Sequence, residues 1–272
     1  MCVVLFTMLT LIGLGLNDER GISIQGLDRA RNSDLVFAEF YTNPMPRLSM
    51  KKLETLVGKP IKILSRTDVE EKAEQSLLGL AERKNVVLLV PGDPMTATTH
   101  VDLRLRAAKR NIKTAVIHGV SVITAAAGSS GLQSYKFGRT VTIPIVESDP
   151  PVETPYDVIK ENGSRGLHTL VLLDVKADLD KYILIGEALK QLLTVEQKRR
   201  EHIVHESRLV VGIARIGADD MIVKGGRVAD LIGYDFGGPP HSLIFPGQLH
   251  FVEVEALRVL AGTDQEILEA KA

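Results

Sequence analysis

The stretch VVLLVPGDPMTATTH, Val86 to His100, decides the fold. An unbroken apolar run leads straight into Pro91, Gly92, Asp93 and Pro94. Such a run suits a central parallel strand covered on both faces. The two prolines stiffen a corner at its end, and the threonines that follow open a helix. AVIHGVSVITAAAG, Ala115 to Gly128, repeats the design, and so does LTLIGLGLNDERGIS, Leu9 to Ser23. Ligands of open parallel sheets bind beyond the carboxyl ends of the strands. Three corners of one type therefore predict one small-molecule site built by the first half of the chain.

Working outward, apolar strands alternate with helical patterns. Strands are expected at Leu9–Gly13, Leu35–Tyr41, Ile61–Leu64, Val86–Val90 and Thr114–Ile117. Helices are expected at Ile22–Asn32, Leu48–Val57, from an Asp68 N-cap to about Lys84, at Thr98–Arg110 and from Ser121. This β–α alternation predicts a parallel, doubly wound sheet. Pro144 to Pro155, rich in proline and acids, reads as a linker. It predicts two α/β domains, residues 1–147 and 148–272. Beyond it, Tyr156–Asn162 and Glu187–Glu206 read as helices. Thr169–Val175, Leu209–Ala214, Ser242–Phe245 and His250–Val254 read as strands. Gly225-Gly226 and Gly237-Gly238-Pro239-Pro240 read as turns between these pieces.

Composition narrows the function classes. The 272 residues are 44% hydrophobic, ample for a core. Lys plus Arg total 33 against 34 Asp plus Glu, so no global charge drives the chain toward nucleic acid or anionic membrane. Trp is absent and aromatics are 4%, which argues against a base-stacking platform. Cys2 is the single cysteine, in keeping with a reducing cytoplasm and excluding a cysteine-rich metal site. The apolar run Cys2–Leu16 lacks a positive leading region and is short for a bilayer span. It reads as the first strand, with MCVVLFT extending it or preceding an internal start at Met8.

At the corners, Gly13 and Gly15 allow a sharp turn and close approach to a ligand. G-L-G-L-N-D lacks the third glycine of a dinucleotide fingerprint. A tight turn without ligand contact is the alternative. Asp93 offers a fixed carboxylate to an amine or a cation; capping of the following helix is its plain alternative. The Ser121 hydroxyl caps a helix whose first N–H groups face a ligand. His202 and His205, placed on one charged helix, have no evident third metal ligand, and Asp219-Asp220 reads as a turn. Serine-triad, Walker and zinc-protease motifs are absent.

The stretches IGLGLNDERGIS, VFAEFYT (Val36–Thr42), PGDPMTATTH, IHGVSVITAAAG and YKFGR (Tyr135–Arg139) resemble the diphthine synthases. These are methyltransferases of the tetrapyrrole-methylase type that use S-adenosylmethionine (SAM). YDVIKENGSRGLHTLVLLDVKA (Tyr156–Ala177) and DFGGPPHSLIFPGQLHFVEVEAL (Asp235–Leu257) extend the resemblance. It implies two α/β domains with SAM in the cleft between them. It implies SAM contacts at Leu16, Asp93, Thr96, Ser121, Val122, Leu173, Ile216 and His241. Thr96 stands where relatives commonly carry an aliphatic residue, and Gly119-Val120 departs from their usual small residues. On its own, His241 in an apolar segment reads as a structural histidine.

The resemblance further implies a cytoplasmic homodimer that methylates the amine of a 3-amino-3-carboxypropyl-histidine on translation elongation factor 2, in diphthamide biosynthesis. S-adenosylhomocysteine is then the product, and neither nucleic acid nor membrane is a partner. The match is of the archaeal, three-methyl kind. No catalytic residue is identifiable, and no metal is expected. Lys136, Arg139, Lys176 and Arg215 read either as carboxylate partners or as surface charges. The competing readings are a corrinoid or porphyrin methylase of the same fold, a nicotinamide oxidoreductase and a non-catalytic ligand-binding module.

Overall fold

The computed structural model describes residues 7–145, 151–176, 179 and 181–269. The chain divides into two compact units, Met1–Val122 and Ile123–Ala272. In the first, the order is β1 (Met8–Gly13), α1 (Ile24–Arg31), β2 (Leu35–Glu39), α2 (Met50–Val57) and β3 (Ile61–Leu64). Then come α3 (Arg66–Glu70), a π-helical turn at Glu74–Leu78, α4 (Gly79–Ala81), β4 (Val86–Val90), α5 (His100–Lys109) and β5 (Lys113–Ile117). The strands form one sheet in the order β3-β2-β4-β1-β5, and every pairing is parallel.

β4 is buried throughout because both its faces are covered. Val86, Leu88 and Val90 pack into a cluster with Leu77 and Leu103. Val87 and Leu89 turn to the opposite cluster, with Leu53 and Ala38. This is the two-residue alternation of a strand applied to a sequence that is apolar at every position.

In the second unit, α6 (Val122–Ser130) is followed by β6 (Val141–Ile143), α7 (Thr154–Ser164), β7 (Thr169–Leu173), and a short ribbon of β8 (Val175–Lys176) and β9 (Lys181–Tyr182). Next are α8 (Ile185–Arg199), β10 (Leu209–Ala214), β11 (Ile222–Arg227), α9 (Val228–Ile232), β12 (His241–Phe245), α10 (Phe251–Leu260) and α11 (Gln265–Glu269). The main sheet runs β11-β10-β12-β7-β6. It is antiparallel apart from the β6–β7 pair.

Several expected boundaries move. β6 already belongs to the second sheet, so the division lies before the Pro144–Pro155 stretch, of which 146–150 fall outside the described residues. Asp68 is not an N-cap: Ser65 caps α3, and Asp68 answers it from the third helical position in a capping box. The segment His250–Val254 is helical. His250 caps α10, and its buried face is Glu253 and Leu257, a helical spacing, while Val252 is half exposed. Gly225-Gly226 lies inside β11 rather than in a turn. A Cβ on Gly225 would sit 2.0 Å from Thr263 Oγ1, so close packing explains that glycine. α8 stops at Arg200 in the left-handed conformation, which leaves His202 and His205 beyond it, stacked 4.2 Å apart. The residues described contain no cluster of metal-ligating side chains and no helix long and apolar enough to cross a membrane.

Candidate functional site: two strand-end edges

The parallel register brings the three corners level. Gly13 pairs with Val90, and Ile12 pairs with Ile117. Beyond the strand ends the main chains meet directly. Gly15 and Gly92 exchange two backbone hydrogen bonds, of 3.2 and 2.7 Å. A Cβ on Gly13 would lie 2.5 Å from Gly119 N and from Gly92 O; one on Gly119 would lie 2.3 Å from Gly92 O. Only glycine permits this contact, and Gly15 and Gly92 also hold positive φ values of 75° and 64°.

Asp93 is buried at this junction, and its carboxylate is a hub. Oδ1 accepts the Met95 N–H at 2.8 Å. Oδ2 faces His118 Nδ1 at 2.6 Å and accepts the Gly119 N–H at 3.3 Å. Asp93 thus joins the end of β4 to the end of β5. Leu16 and Thr96 are partly buried in the turns after β1 and β4, Ser121 is buried just before α6, and Val122 begins that helix. Sequence reasoning gathered Leu16, Asp93, Thr96, Ser121 and Val122 on one edge of the first sheet, and the fold places them there. It did not single out His118.

The remaining three residues share an edge of the second sheet. His241 opens β12 opposite Ala214, the last residue of β10, and Ser242 pairs with Leu172. Antiparallel pairing therefore sets Leu173, Ile216 and His241 at the same end, each of them buried. Ile185 N–H donates to His241 Nδ1 at 3.4 Å, and Nε2 lies 3.1 Å from Gly238 O. Burial holds the imidazole below its usual range, so it stays neutral, with Nε2 as the donor.

Sequence profiles identify residues 8–232 with the Tetrapyrrole (Corrin/Porphyrin) Methylases. The chain belongs to this methylase family. Among similar proteins are a diphthine synthase of Methanosarcina mazei, 49% identical over 96% of this chain and 99% of that protein, and one of Methanocella arvoryzae, 47% identical over 94% and 98%. A crystal structure of diphthine synthase superposes with a TM-score of 0.87 at 39% identity, covering 97% of this chain and all of that one. A crystal structure of a protein described as a putative diphthine synthase from Entamoeba histolytica gives 0.85 at 37%, covering 95% and 99%.

The first edge of this methylase suits a compact, positively charged donor. A Cβ on Gly92 would meet nothing nearer than Val120 O at 3.9 Å, so the backbone there is open to an approaching ligand. The near-buried Asp93 carboxylate supplies negative charge at the same corner. Half-exposed Val120, whose carbonyl oxygen is that nearest atom, adds apolar surface beside it.

Each unit of the methylase also holds a buried polar cluster. In the first unit, Glu39 at the end of β2 is fully buried and receives Thr42 N–H at 3.1 Å and Thr42 Oγ1 at 2.6 Å. Burial pushes its carboxyl up to about 7. In the second unit, buried Glu253 gathers Lys136 Nζ, His168 Nε2 at 2.9 Å, Gln133 N–H at 2.9 Å and His250 N–H at 2.8 Å. Burial opposes ionisation, but those donors hold the carboxyl at about 2. Lys136 is therefore engaged in the fold. So is Arg215, which donates to Asp220, Phe236 O and Gly238 O and ties down the loop before His241.

Proposed function

We propose that the protein is a SAM-dependent protein methyltransferase. It trimethylates the amino group of the 3-amino-3-carboxypropyl-histidine of translation elongation factor 2, forming diphthine in diphthamide biosynthesis. The observation that carries this reading is the near-end-to-end likeness to diphthine synthases, 47–49% over at least 94% of the chain. The Asp93 corner is its physical support. A corrin or porphyrin methylase shares the fold, but the relatives matched over the whole length favour the protein substrate.

Leu16, Asp93, Thr96, Ser121 and Val122 at the first edge, and Leu173, Ile216 and His241 at the second, are the residues assigned to SAM. Bound SAM supplies an electrophilic methyl on a sulfonium that departs as a neutral thioether. The chain's own task is to fix the amine in line with that methyl and to exclude water. The Asp93 carboxylate favours the cationic end of the donor. Neutral His241, held at both nitrogens, keeps its loop rigid and adds no positive charge beside a cation. A primary amine retains a lone pair after the first and second transfers and loses it at the third, so three methyls end the reaction.

The protein works as a homodimer in the cytoplasm, beside its elongation-factor substrate. Incubation of purified protein with labelled SAM and the modified elongation factor tests the reading. Mass spectrometry of the peptide is expected to show three added methyls on the amine. A product stalled at one methyl, or label on a macrocycle, overturns it. Light scattering is expected to give a dimer mass.

A further inference from the structure

Methylation of an amine needs a free lone pair, and near neutral pH an alkyl ammonium carries a proton in its place. Some group must take that proton before each transfer. His241 has both ring nitrogens engaged inside the fold, and His100 is buried with Nδ1 3.2 Å from Pro94 O. His118 differs from both. Its side chain is 69% exposed, and it stands at the carboxyl end of β5 on the edge assigned to SAM.

We propose that His118 is the general base of the methyl transfer and that Asp93 is the residue that orients it. The inference rests on the amine-methylation reading given above. His118 Nδ1 lies 2.6 Å from Asp93 Oδ2. A carboxylate only accepts, so Nδ1 carries the hydrogen and the Nε2 lone pair is left pointing away from Asp93. Nε2 makes no hydrogen bond to any described residue. Asp93 cannot swing away, because the Met95 and Gly119 N–H groups pin both its oxygens and its side chain is 9% exposed. A base whose far nitrogen is fixed by a buried carboxylate has the arrangement that nucleophilic and proton-transfer sites share on unrelated folds. Asp93 also stabilises the imidazolium that forms.

The step balances. The ammonium N–H bond breaks and an Nε2–H bond forms; the electron pair stays on the amine nitrogen, ready for the methyl. The imidazolium then releases its proton to solvent through its exposed face. Each of the three transfers repeats the cycle, so three protons leave for three methyls added.

The test is the pH dependence of kcat for wild type, His118→Gln and His118→Ala, with saturating SAM and the modified elongation factor. It is paired with calorimetric binding of S-adenosylhomocysteine. At pH 7 both variants are expected to turn over about 100-fold more slowly or less. The gap should close as rising pH deprotonates the amine without help, and S-adenosylhomocysteine affinity should match wild type. Equal rates at pH 7, a gap that is the same at every pH, or a loss of S-adenosylhomocysteine binding in the variants overturns the assignment. Failure of the wild type itself to bind S-adenosylhomocysteine or to label the elongation factor overturns instead the reading beneath it. A proton NMR signal for an imidazole N–H donated to a carboxylate gives an independent readout. Two such signals are expected in wild type, one from His118 on Asp93 and one from His168 on Glu253, and only the first is lost in His118→Gln; a wild-type spectrum that His118→Gln leaves unchanged removes the orienting bond.

Discussion

Glu39 Oε1 and His100 Nε2 face each other across 4.0 Å, with neither side chain exposed. The gap is too long for a hydrogen bond, and His100 Nε2 has no other partner among the described residues. His100 Nδ1 donates to the Pro94 carbonyl, so the free nitrogen turned toward Glu39 is a lone pair. Burial works on both groups: it lowers His100 and raises Glu39, so both favour their neutral forms. Tyr41, Thr42, Arg66 and Glu70 complete the surroundings of the pair.

From this follows a pH dependence of stability. A carboxyl at 4.5 in the unfolded chain and about 7 in the fold binds its proton more tightly when folded. Its contribution is full below pH 4.5 and is lost as pH rises through 7, by roughly 3 kcal/mol in all. His100 acts in the opposite sense, since its depressed affinity loses stability as pH falls below 6.5. Glu39→Gln isolates the first contribution. Denaturant titrations from pH 5 to 8 should show wild type losing stability relative to the variant as pH rises. Parallel curves would mean that Glu39 does not titrate in this window.

Asp93→Ala should weaken SAM binding about ten- to hundred-fold, the worth of a charge-assisted hydrogen bond. The fold should survive, because the corner keeps its glycine contacts. Calorimetry on the two proteins decides it; an unchanged Kd removes Asp93 from the site.

Gly119→Ala should be worse for binding than its size suggests. The new methyl would sit 2.3 Å from Gly92 O and 2.9 Å from Gly13 Cα, and neither backbone can yield without moving a corner. Overpacking of this kind costs about 1–3 kcal/mol of stability. A thermal melt should register that loss, and SAM affinity should drop with it. Gly128→Ala, inside α6 where a Cβ meets nothing within 4 Å, is the control: it should leave SAM affinity unchanged and raise stability by about 0.5–1 kcal/mol instead of lowering it.

Glu253→Gln should destabilise the second unit by about 3 kcal/mol, since it removes the anion that Lys136, His168 and two backbone N–H groups share. The carboxyl lies at about 2 in the fold against 4.5 free. Its support is therefore complete above pH 4.5 and is lost as pH falls toward 2. Urea titrations at pH 7 and pH 3 should show a smaller difference between wild type and variant at the lower pH. A constant difference would assign the effect to packing alone.

The first sheet was legible in the sequence because its central strand β4 is apolar without interruption and because β1, β4 and β5 each run into a corner that contains glycine or proline. Ile61–Leu64 and Val86–Val90 coincide with the expected strands residue for residue. The second unit was harder. β11 carries Lys224, Gly225, Gly226 and Arg227, a composition that reads as turn, and only pairing with β10 makes it a strand. α10 failed for the opposite reason. Val252 and Val254 alternate with acids like an edge strand, and the deciding residue, Glu253, is polar yet buried by long-range donors. His118 was missed because its significance lies in a contact with a residue from another strand, which no local pattern reports. YKFGR, GLHTL and LHFVEVEAL, quoted as marks of resemblance, turn out to meet at Glu253, through Lys136, His168 and His250. Much of what makes those stretches distinctive is thus scaffolding.

The exchange of hydrogen bonds between Gly15 and Gly92 has a consequence for how such a protein can drift. The floor of the first edge is peptide, not side chain, so its contour is written in four positions, Gly13, Gly15, Gly92 and Gly119, that tolerate a single residue type. Around that fixed floor, the partly buried Leu16, Thr96 and Val122 present side chains, walls that can be replaced one at a time. Variation should accordingly be graded at the walls and abrupt at the floor: many replacements tolerated in the former, almost none in the latter.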